Sequence, residues 1–97
     1  MPKVVLKRSN KPKKKWMVII EYREGQRPKT IHFGASGYKD YTIGATDQQR
    51  TNYRSRHRKE ANQSWDTAGR LSYDLLWGST RSVRTNFNAY KKKFNLK

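Results

Sequence analysis

The sequence predicts an α+β fold in which a small three-stranded antiparallel sheet packs against about three helices. Three observations indicate this class. β-Branched and aromatic residues concentrate in three short segments before residue 34, helix-capping signals follow from Thr46 onward, and no linker is long enough to divide the chain. With 97 residues the chain forms one small domain. We assign residues 1–15 to a basic N-terminal arm with the first strand, and residues 16–97 to a single α+β domain with a basic C-terminal end.

Three segments have the composition of β-strands. Lys3–Arg8 and Lys15–Arg23 are rich in Val, Ile and aromatic residues, and a basic, turn-like stretch separates them. Apolar residues alternate onto both faces of the second segment, which predicts a central strand. Residues 24–28 read as a turn, after which Lys29–Phe33 returns as the third strand.

The stretch "HFGASGYKDYT", residues 32–42, is predicted to be a structural corner between the sheet and the helices. Gly34 and Gly37 supply backbone freedom for leaving the last strand. Asp40 is predicted to accept hydrogen bonds from local amides, and Tyr38 and Tyr41 to wedge the sheet against the helices. The residues of this stretch have no evident carboxylate or histidine partners for catalysis, which argues against a catalytic loop.

The first helix is predicted from Asp47 to about Asn62. Thr46 has the character of an N-cap, Asp47 suits the positive end of the helix dipole, and Gln49 completes a capping box. Arg50, Arg54 and Arg58 recur at every fourth residue, which predicts one basic stripe. A neighbouring stripe that can pack inward consists of Tyr53, His57 and Ala61.

Two further helices are predicted after residue 64. The second carries Leu71, Leu75 and Leu76 at helical spacing and stops at Gly78. The third is capped by Ser79 or Thr80 and has an apolar stripe. That stripe consists of Val83, Phe87, Tyr90 and Phe94.

The charge is the strongest functional signal. The chain has 23 Lys and Arg against 7 Asp and Glu, a net charge of +16, which implies an anionic partner. Positive charge is densest at the two ends, where blocks of like charge stay disordered until an acidic partner orders them. The predicted anion-binding or partner-binding residues are Lys11, Lys13, Lys14, Lys15, Arg50, Arg54, Arg56, Arg58, Lys59, Arg81, Arg84, Lys91, Lys92 and Lys93.

Several kinds of site are not expected. The chain has no cysteine and two histidines, so we predict no metal and no cofactor. The longest apolar run, Trp16 to Ile20, is too short to span a bilayer, and the N-terminus lacks the apolar stretch of a secretory signal. We therefore expect a protein that is intracellular or packaged in a particle. No motif for reading base edges is present, which argues against sequence-specific DNA recognition.

The aromatic residues have two interpretations. Three tryptophans and nine other aromatic side chains offer surfaces for stacking on nucleic acid bases. A domain this small also needs large side chains to build a core, and Trp16, Trp65 and Trp77 all lie in predicted strands or helices. We favour the core interpretation.

An enzymatic interpretation rests on "YTIG", Tyr41 to Gly44, which resembles half of the motif of the GIY-YIG nucleases. The other half is missing upstream, and Glu60 and Asp74 are poorly placed as the metal-binding carboxylate. The remaining acids form no convincing pair for metal-assisted phosphodiester cleavage. We expect a protein that is not an enzyme.

Four stretches together resemble a family of small basic proteins encoded by large nucleocytoplasmic DNA viruses of algae and amoebae: "FGASGYKDYT", "RTNYRSRHRKEANQSW", "TAGRLSYDLLWG" and "YKKKFNL". The resemblance covers roughly Trp16 to Leu96 and departs from the family pattern at Ile43 and Gly44. It implies a viral setting and a shared fold, and it assigns no activity. The matching positions are Phe33, Gly34, Gly37, Tyr38, Asp40, Tyr41, Thr42, Arg56, His57, Arg58, Trp65, Thr67, Ala68, Gly69, Ser72, Leu75, Leu76 and Trp77.

These observations predict a non-enzymatic structural protein of a virion, a minor capsid or internal cementing protein that is intracellular in the infected cell before assembly. Its expected partners are acidic capsid proteins and the packaged double-stranded DNA, with no small-molecule substrate. The alternative is a sequence-nonspecific DNA-binding protein that condenses the genome, and a GIY-YIG-like nuclease is a distant third.

Overall fold

The computed structural model describes residues 1–97 and confirms the α+β class, with a three-stranded antiparallel sheet and three α-helices. The strands are β1 (Lys3–Arg8), β2 (Lys14–Glu21) and β3 (Lys29–Ala35), in the order β1-β2-β3. The central place of β2 and the bounds of β1 are therefore confirmed. β2 ends earlier than predicted and β3 runs two residues past Phe33, because Ala35 pairs with Lys14.

One face of the sheet carries the core, as the alternation along each strand requires. In the middle row Val18 lies between Leu6 and Ile31, and Val18 is fully buried. The helices cover this face, while Val5 and Ile19 on the opposite face remain partly exposed. Burial of β-branched residues on the covered face is what stabilises the meander, because three strands without a packed face are marginal in water.

The first helix, α1 (Asp47–Arg56), begins where its capping box predicts. The Gln49 amide donates to Thr46 Oγ1 at 3.1 Å, and the Thr46 amide donates to Gln49 Oε1 at 2.8 Å. The prediction that the helix continues to Asn62 is wrong. His57 leaves helical geometry (φ −107°, ψ 29°) and the chain continues as a 3₁₀ helix over Arg58–Asn62, because the Glu60 amide donates to the His57 carbonyl in a tighter turn.

The second helix, α2 (Ala68–Leu71), passes directly into a π-helical turn, Ser72–Leu76, where a single helix was predicted. The Trp77 amide donates to the Ser72 carbonyl at 3.2 Å, a bond that spans five residues. The turn ends just before Gly78, as predicted. The glycine is required for space, because a Cβ there would lie 2.2 Å from the Asp74 carbonyl oxygen.

The third helix, α3 (Val83–Lys93), is capped by Ser82, so the predicted cap at Ser79 or Thr80 is wrong. Thr80 instead hydrogen-bonds the buried Asn86 side chain, whose amide group also donates to the Leu75 carbonyl at 2.9 Å. Phe87 and Tyr90 of the predicted apolar stripe are buried in the core. Asn86 thereby joins α3 to the π-helical turn.

Both ends of the chain take part in the fold. Val4 and Leu6 of β1 are core residues, so residues 3–8 share one core with the rest of the chain. The Val4 amide donates to the Lys97 carbonyl at 2.9 Å, and the Lys97 amide donates to the Pro2 carbonyl at 2.8 Å. The two termini therefore lie side by side. No helix has the length and apolar character that crossing a membrane requires.

Candidate anion-binding site

Most of the positive charge has no internal counter-charge. Only Lys15, Arg70 and Arg81 form ion pairs with carboxylates, which leaves 20 of the 23 Lys and Arg side chains without one. Few of the cationic side chains therefore form ion pairs. Of the others, Arg50, Arg54 and Lys91 are partly buried and the rest are exposed.

The exposed members of the predicted anion-binding set that form no ion pair lie on three parts of the fold. The β1–β2 turn with the start of β2, the end of α1 with the following 3₁₀ helix, and α3 each carry three. Arg81 is also exposed, but it pairs with Asp47 at 3.7 Å and donates to the Ala45 carbonyl at 2.9 Å. Lys91 is partly buried, with its Nζ 5.0 Å from the centre of the Phe87 ring. The exposed, unpaired residues are Lys11, Lys13 and Lys14, then Arg56, Arg58 and Lys59, then Arg84, Lys92 and Lys93.

The predicted basic stripe on α1 requires a correction. Arg50 Nε donates to the Gly78 carbonyl at 2.6 Å, and Arg54 Nη1 donates to the Trp77 carbonyl at 2.8 Å. Both side chains are partly buried, and only Arg58 of the three is exposed. Arg50 and Arg54 satisfy the carbonyl groups that follow the π-helical turn, so they hold α1 against that turn rather than facing a partner.

Lys15 also departs from its predicted role. Its Nζ lies 2.8 Å from Asp40 Oδ2, and the two side chains are 13% and 2% exposed. The same ammonium donates to the Tyr38 carbonyl. Lys15 therefore ties β2 to the corner and contributes no free charge to the surface.

The corner at residues 34–45 is built around Asp40. Its Oδ1 accepts from the Thr42 amide at 2.8 Å, as predicted for local amides, and its backbone carbonyl accepts from the amides of Ile43 and Ala45. These bonds begin a short 3₁₀ helix, Tyr41–Ile43. The corner thereby places a buried, fully hydrogen-bonded carboxylate beside the end of the sheet.

The other residues of the corner have either a structural role or an exposed position. Phe33 is a core residue, and Gly34 and Gly37 have φ of 81° and 88°, which supports the predicted backbone freedom. The predicted wedge role of Tyr38 is wrong, because its side chain is 73% exposed. Tyr41 instead lies between two guanidinium groups, with that of Arg81 4.1 Å from its ring centre.

The three tryptophans are partly buried and pack against the core. Trp16 lies on β2 beneath the guanidinium of Arg8, which is 4.4 Å from the ring centre. The backbone carbonyl of Trp65 accepts the hydroxyl proton of Tyr90. Trp77 both packs on the core and lines a cleft.

This cleft, the corner–α1 cleft, has a volume of about 580 Å³ and lies between the corner, α1 and the π-helical turn. A volume in the range of about 300–1,000 Å³ is typical of small-molecule sites. The polar and charged side chains on its wall are Lys15, Lys39, Asp40, Gln49, Asn52, Arg56, His57 and Ser72.

One face of α1 forms a wall of the cleft. Its five residues are spaced by three, one, three and one positions, which puts them on a single helical face. This face is offset from the face with Arg50 and Arg54. The wall residues are Gln49, Asn52, Tyr53, Arg56 and His57.

Three stacked rings support this wall. The Tyr53 ring centre lies 4.3 Å from that of Trp77 and 4.1 Å from that of His57, with interplanar angles of 8° and 20°. Two rings at these distances must occupy opposite faces of Tyr53, so Trp77 and His57 form the ends of the stack. Burial raises the pKa of the Tyr53 phenol, and Glu60 Oε1 lies 3.2 Å from His57 Nδ1 and orients that ring.

The hydrogen-bonding groups left free in the cleft are mainly donors. The acceptor oxygens of Gln49 and Asn52 already take hydrogen bonds within α1 and its cap, which leaves their NH₂ groups unpaired. Lys39 and Arg56 have no carboxylate partner, and the carboxylate of Asp40 is occupied by Lys15 and Thr42. A donor-rich cleft of this kind suits an anionic ligand. Nowhere in the fold do three or more His, Asp or Glu side chains group as metal ligands.

Sequence reasoning did not predict the cleft. It identified Arg56 and Lys15 as cations and Asp40 as a structural residue, and it treated Tyr53 and His57 as part of an inward-packing stripe. Gln49 was named only for the capping box and Ser72 only for the family resemblance, while Lys39 and Asn52 were not singled out. The available signal was the spacing of polar and aromatic residues along α1, but only the fold shows that this face opens onto the corner.

The sequence was compared with models of known protein families. The pattern of one family matches residues 4–57, more than half of the chain. The chain belongs to DUF5754, a family of unknown function. The DUF5754 match spans the three strands, the corner and α1, and so includes every cleft residue except Ser72, Leu76 and Trp77. Comparisons with curated proteins and with solved structures gave no match.

Proposed function

We propose that this protein is a non-enzymatic structural protein that bridges polyanionic surfaces, and that it serves as a minor capsid or internal cementing protein of a large DNA virus. The observation that carries the proposal is that 20 of the 23 Lys and Arg side chains have no carboxylate partner, although the chain is folded. Acidic capsid proteins and packaged DNA are the proposed partners, and the viral setting rests on the family resemblance described above.

Bridging is supported by the positions of the exposed cations at opposite ends of the sheet. Lys11, Lys13 and Lys14 lie at the start of β2, and the turn after β2 carries Arg23 and Arg27. β2 has eight residues, and the seven steps between them, at about 3.3 Å each, separate its two ends by about 23 Å. This separation exceeds the Debye length of about 8 Å at physiological salt, so the two groups act on separate surfaces.

A second candidate is sequence-nonspecific DNA binding with genome condensation. It is favoured by the three exposed cations at the end of α1, which lie next to the aromatic wall of the cleft. Clustered cations bind phosphates by releasing condensed counterions, without sequence preference. The three residues are Arg56, Arg58 and Lys59.

The two candidates differ in measurable ways. We expect the purified protein to co-sediment with empty capsid shells and to bring a second, labelled DNA duplex onto an immobilised duplex. Neutralising one end of the sheet, by changing Lys11, Lys13 and Lys14 to Gln, should abolish bridging while binding to a single duplex persists. The complementary variant neutralises the opposite end of the sheet by changing Arg23, Arg27 and Lys29 to Gln. It should also lose bridging and keep binding to a single duplex.

Filter binding over a salt series separates the candidates further. Each lost phosphate contact lowers the slope of log affinity against log salt by about 0.9, so a triple variant should lower it by at most about 2.7. Tight DNA binding with no association with shells would replace the cementing proposal by the second candidate. Failure of both associations, or nicking of a plasmid with magnesium, would overturn the proposed function.

A further inference from the structure

We propose that the corner–α1 cleft binds a single nucleotide, either free or as an unpaired nucleotide of a strand, with its phosphate held by Arg56 and Lys39 and its base stacked on the aromatic wall. This goes beyond the bridging function, which depends on exposed cations elsewhere. The proposal combines three features of the cleft: its free cations, its free amide donors and its stacked rings.

The phosphate position follows from the charges on the cleft wall. Lys39 and Arg56 line the cleft, and neither has a carboxylate partner. The single acid on the wall, Asp40, is 2% exposed and is neutralised by Lys15 at 2.8 Å. A cleft with unpaired cations and a neutralised acid concentrates anions, and a guanidinium group binds phosphate through paired, charge-assisted hydrogen bonds.

The base position follows from the stacked rings. Both faces of Tyr53 are covered, so a planar ligand can extend the stack only at its ends, over His57 or Trp77. Both end residues line the cleft. Stacking of bases on aromatic rings is a main source of affinity in single-strand-binding proteins.

Further hydrogen-bond donors line the same cleft. Gln49 and Asn52 are one turn apart on the wall face of α1, and each has an unpaired NH₂ group. Ser72, at the start of the π-helical turn, adds a hydroxyl group. Such groups suit the ribose oxygens and the base acceptor atoms of a nucleotide. The walls are held by bonds within the fold, so the site is formed before the ligand binds.

The test is calorimetric titration with adenosine 5′-monophosphate, adenosine and inorganic phosphate, together with NMR of the Trp77 indole N–H. We expect the monophosphate to bind more tightly than adenosine or phosphate alone and to shift the Trp77 signal. Arg56→Gln should weaken monophosphate binding at least about tenfold, because the loss of even one charge-assisted hydrogen bond of the pair has this effect.

The matched control is Arg58→Gln, which removes the same charge from an exposed residue that does not line the cleft. We expect it to leave monophosphate affinity within about twofold, because an exposed charge outside the cleft is screened by salt. Equal losses in the two variants would show diffuse electrostatic attraction and overturn the site. Phosphate binding as tightly as the monophosphate, or an unshifted Trp77 signal, would also overturn it.

A competition experiment identifies the source of the nucleotide. A single-stranded oligonucleotide that displaces the monophosphate at lower concentration assigns the cleft to a nucleotide within a strand, and the absence of displacement assigns it to free nucleotides. Nucleotide binding in the cleft can be tested separately from the bridging function. The Lys11, Lys13 and Lys14 variant lacks bridging charge and should still bind the monophosphate with unchanged affinity, because none of the three lines the cleft.

Discussion

We expect the loss of either partner of the Lys15–Asp40 ion pair to lower stability strongly. The costs of the two losses should be coupled, so that they do not add. Asp40 is 2% exposed, and its carboxylate accepts from both the Lys15 ammonium and the Thr42 amide. In Asp40→Ala the ammonium of Lys15, which is 13% exposed, loses its counter-charge. Removing one partner of a buried pair costs about 3–5 kcal/mol, and losing the cap of the 3₁₀ helix adds about 1 kcal/mol.

We therefore expect Asp40→Ala to lower the free energy of unfolding by about 4–6 kcal/mol, out of a total of about 5–15 kcal/mol for a domain of this size. Lys15→Met should cost about 3 kcal/mol, because Asp40 keeps its bonds to Thr42. The double variant removes both charges, so its cost should fall short of the sum of the single costs by about 2 kcal/mol or more.

Urea unfolding followed by circular dichroism and tryptophan fluorescence measures these free energies. Lys14→Met is the matched control, because Lys14 is the exposed neighbour and has no ion-pair partner, and it should change stability by less than about 0.5 kcal/mol. Costs that add within about 0.5 kcal/mol would refute the coupling. A Lys14→Met cost equal to that of Lys15→Met would refute the role of burial.

Three further predictions concern the scaffold. Gly34→Ala should lower the free energy of unfolding in urea by about 1–3 kcal/mol more than Gly37→Ala does. Both glycines have positive φ, but only a Cβ at position 34 would meet a methyl group of Leu76, at 2.8 Å. Equal losses in the two variants would contradict this. A hydrogen bond from Ser64 lowers the pKa of Asp66 below 3.8. The unmodified protein should therefore be more stable than Asp66→Asn above pH 3.8, and this difference should shrink as the pH falls through the lowered pKa. A stability difference that stays constant from neutral pH to the acid limit would count against this prediction. Asn86→Ala should cost about 2–4 kcal/mol by thermal unfolding, because its buried amide group satisfies two carbonyl groups, and a loss below about 1 kcal/mol would rule this out.

The predictions that came from local signals agree well with the structure. The capping box at Thr46 and the alternation along β2 both involve groups within a few residues of one another, so their meaning does not depend on the rest of the fold. The premature end of α1 at His57 illustrates the limit. No glycine or proline marks it, and it depends on bonds that the following turn makes.

The sequence by itself determined the α+β class, the central strand and the large excess of positive charge. Only the tertiary structure decided which cations are free. Arg50, Arg54 and Lys15 read as surface charges in the sequence, yet they bind acceptors 23 to 28 residues away. A side chain's partner across the fold depends on how elements distant in sequence pack, and residue type and local spacing do not encode that. For the same reason the corner–α1 cleft, formed by three separate segments, became visible only once they were brought together.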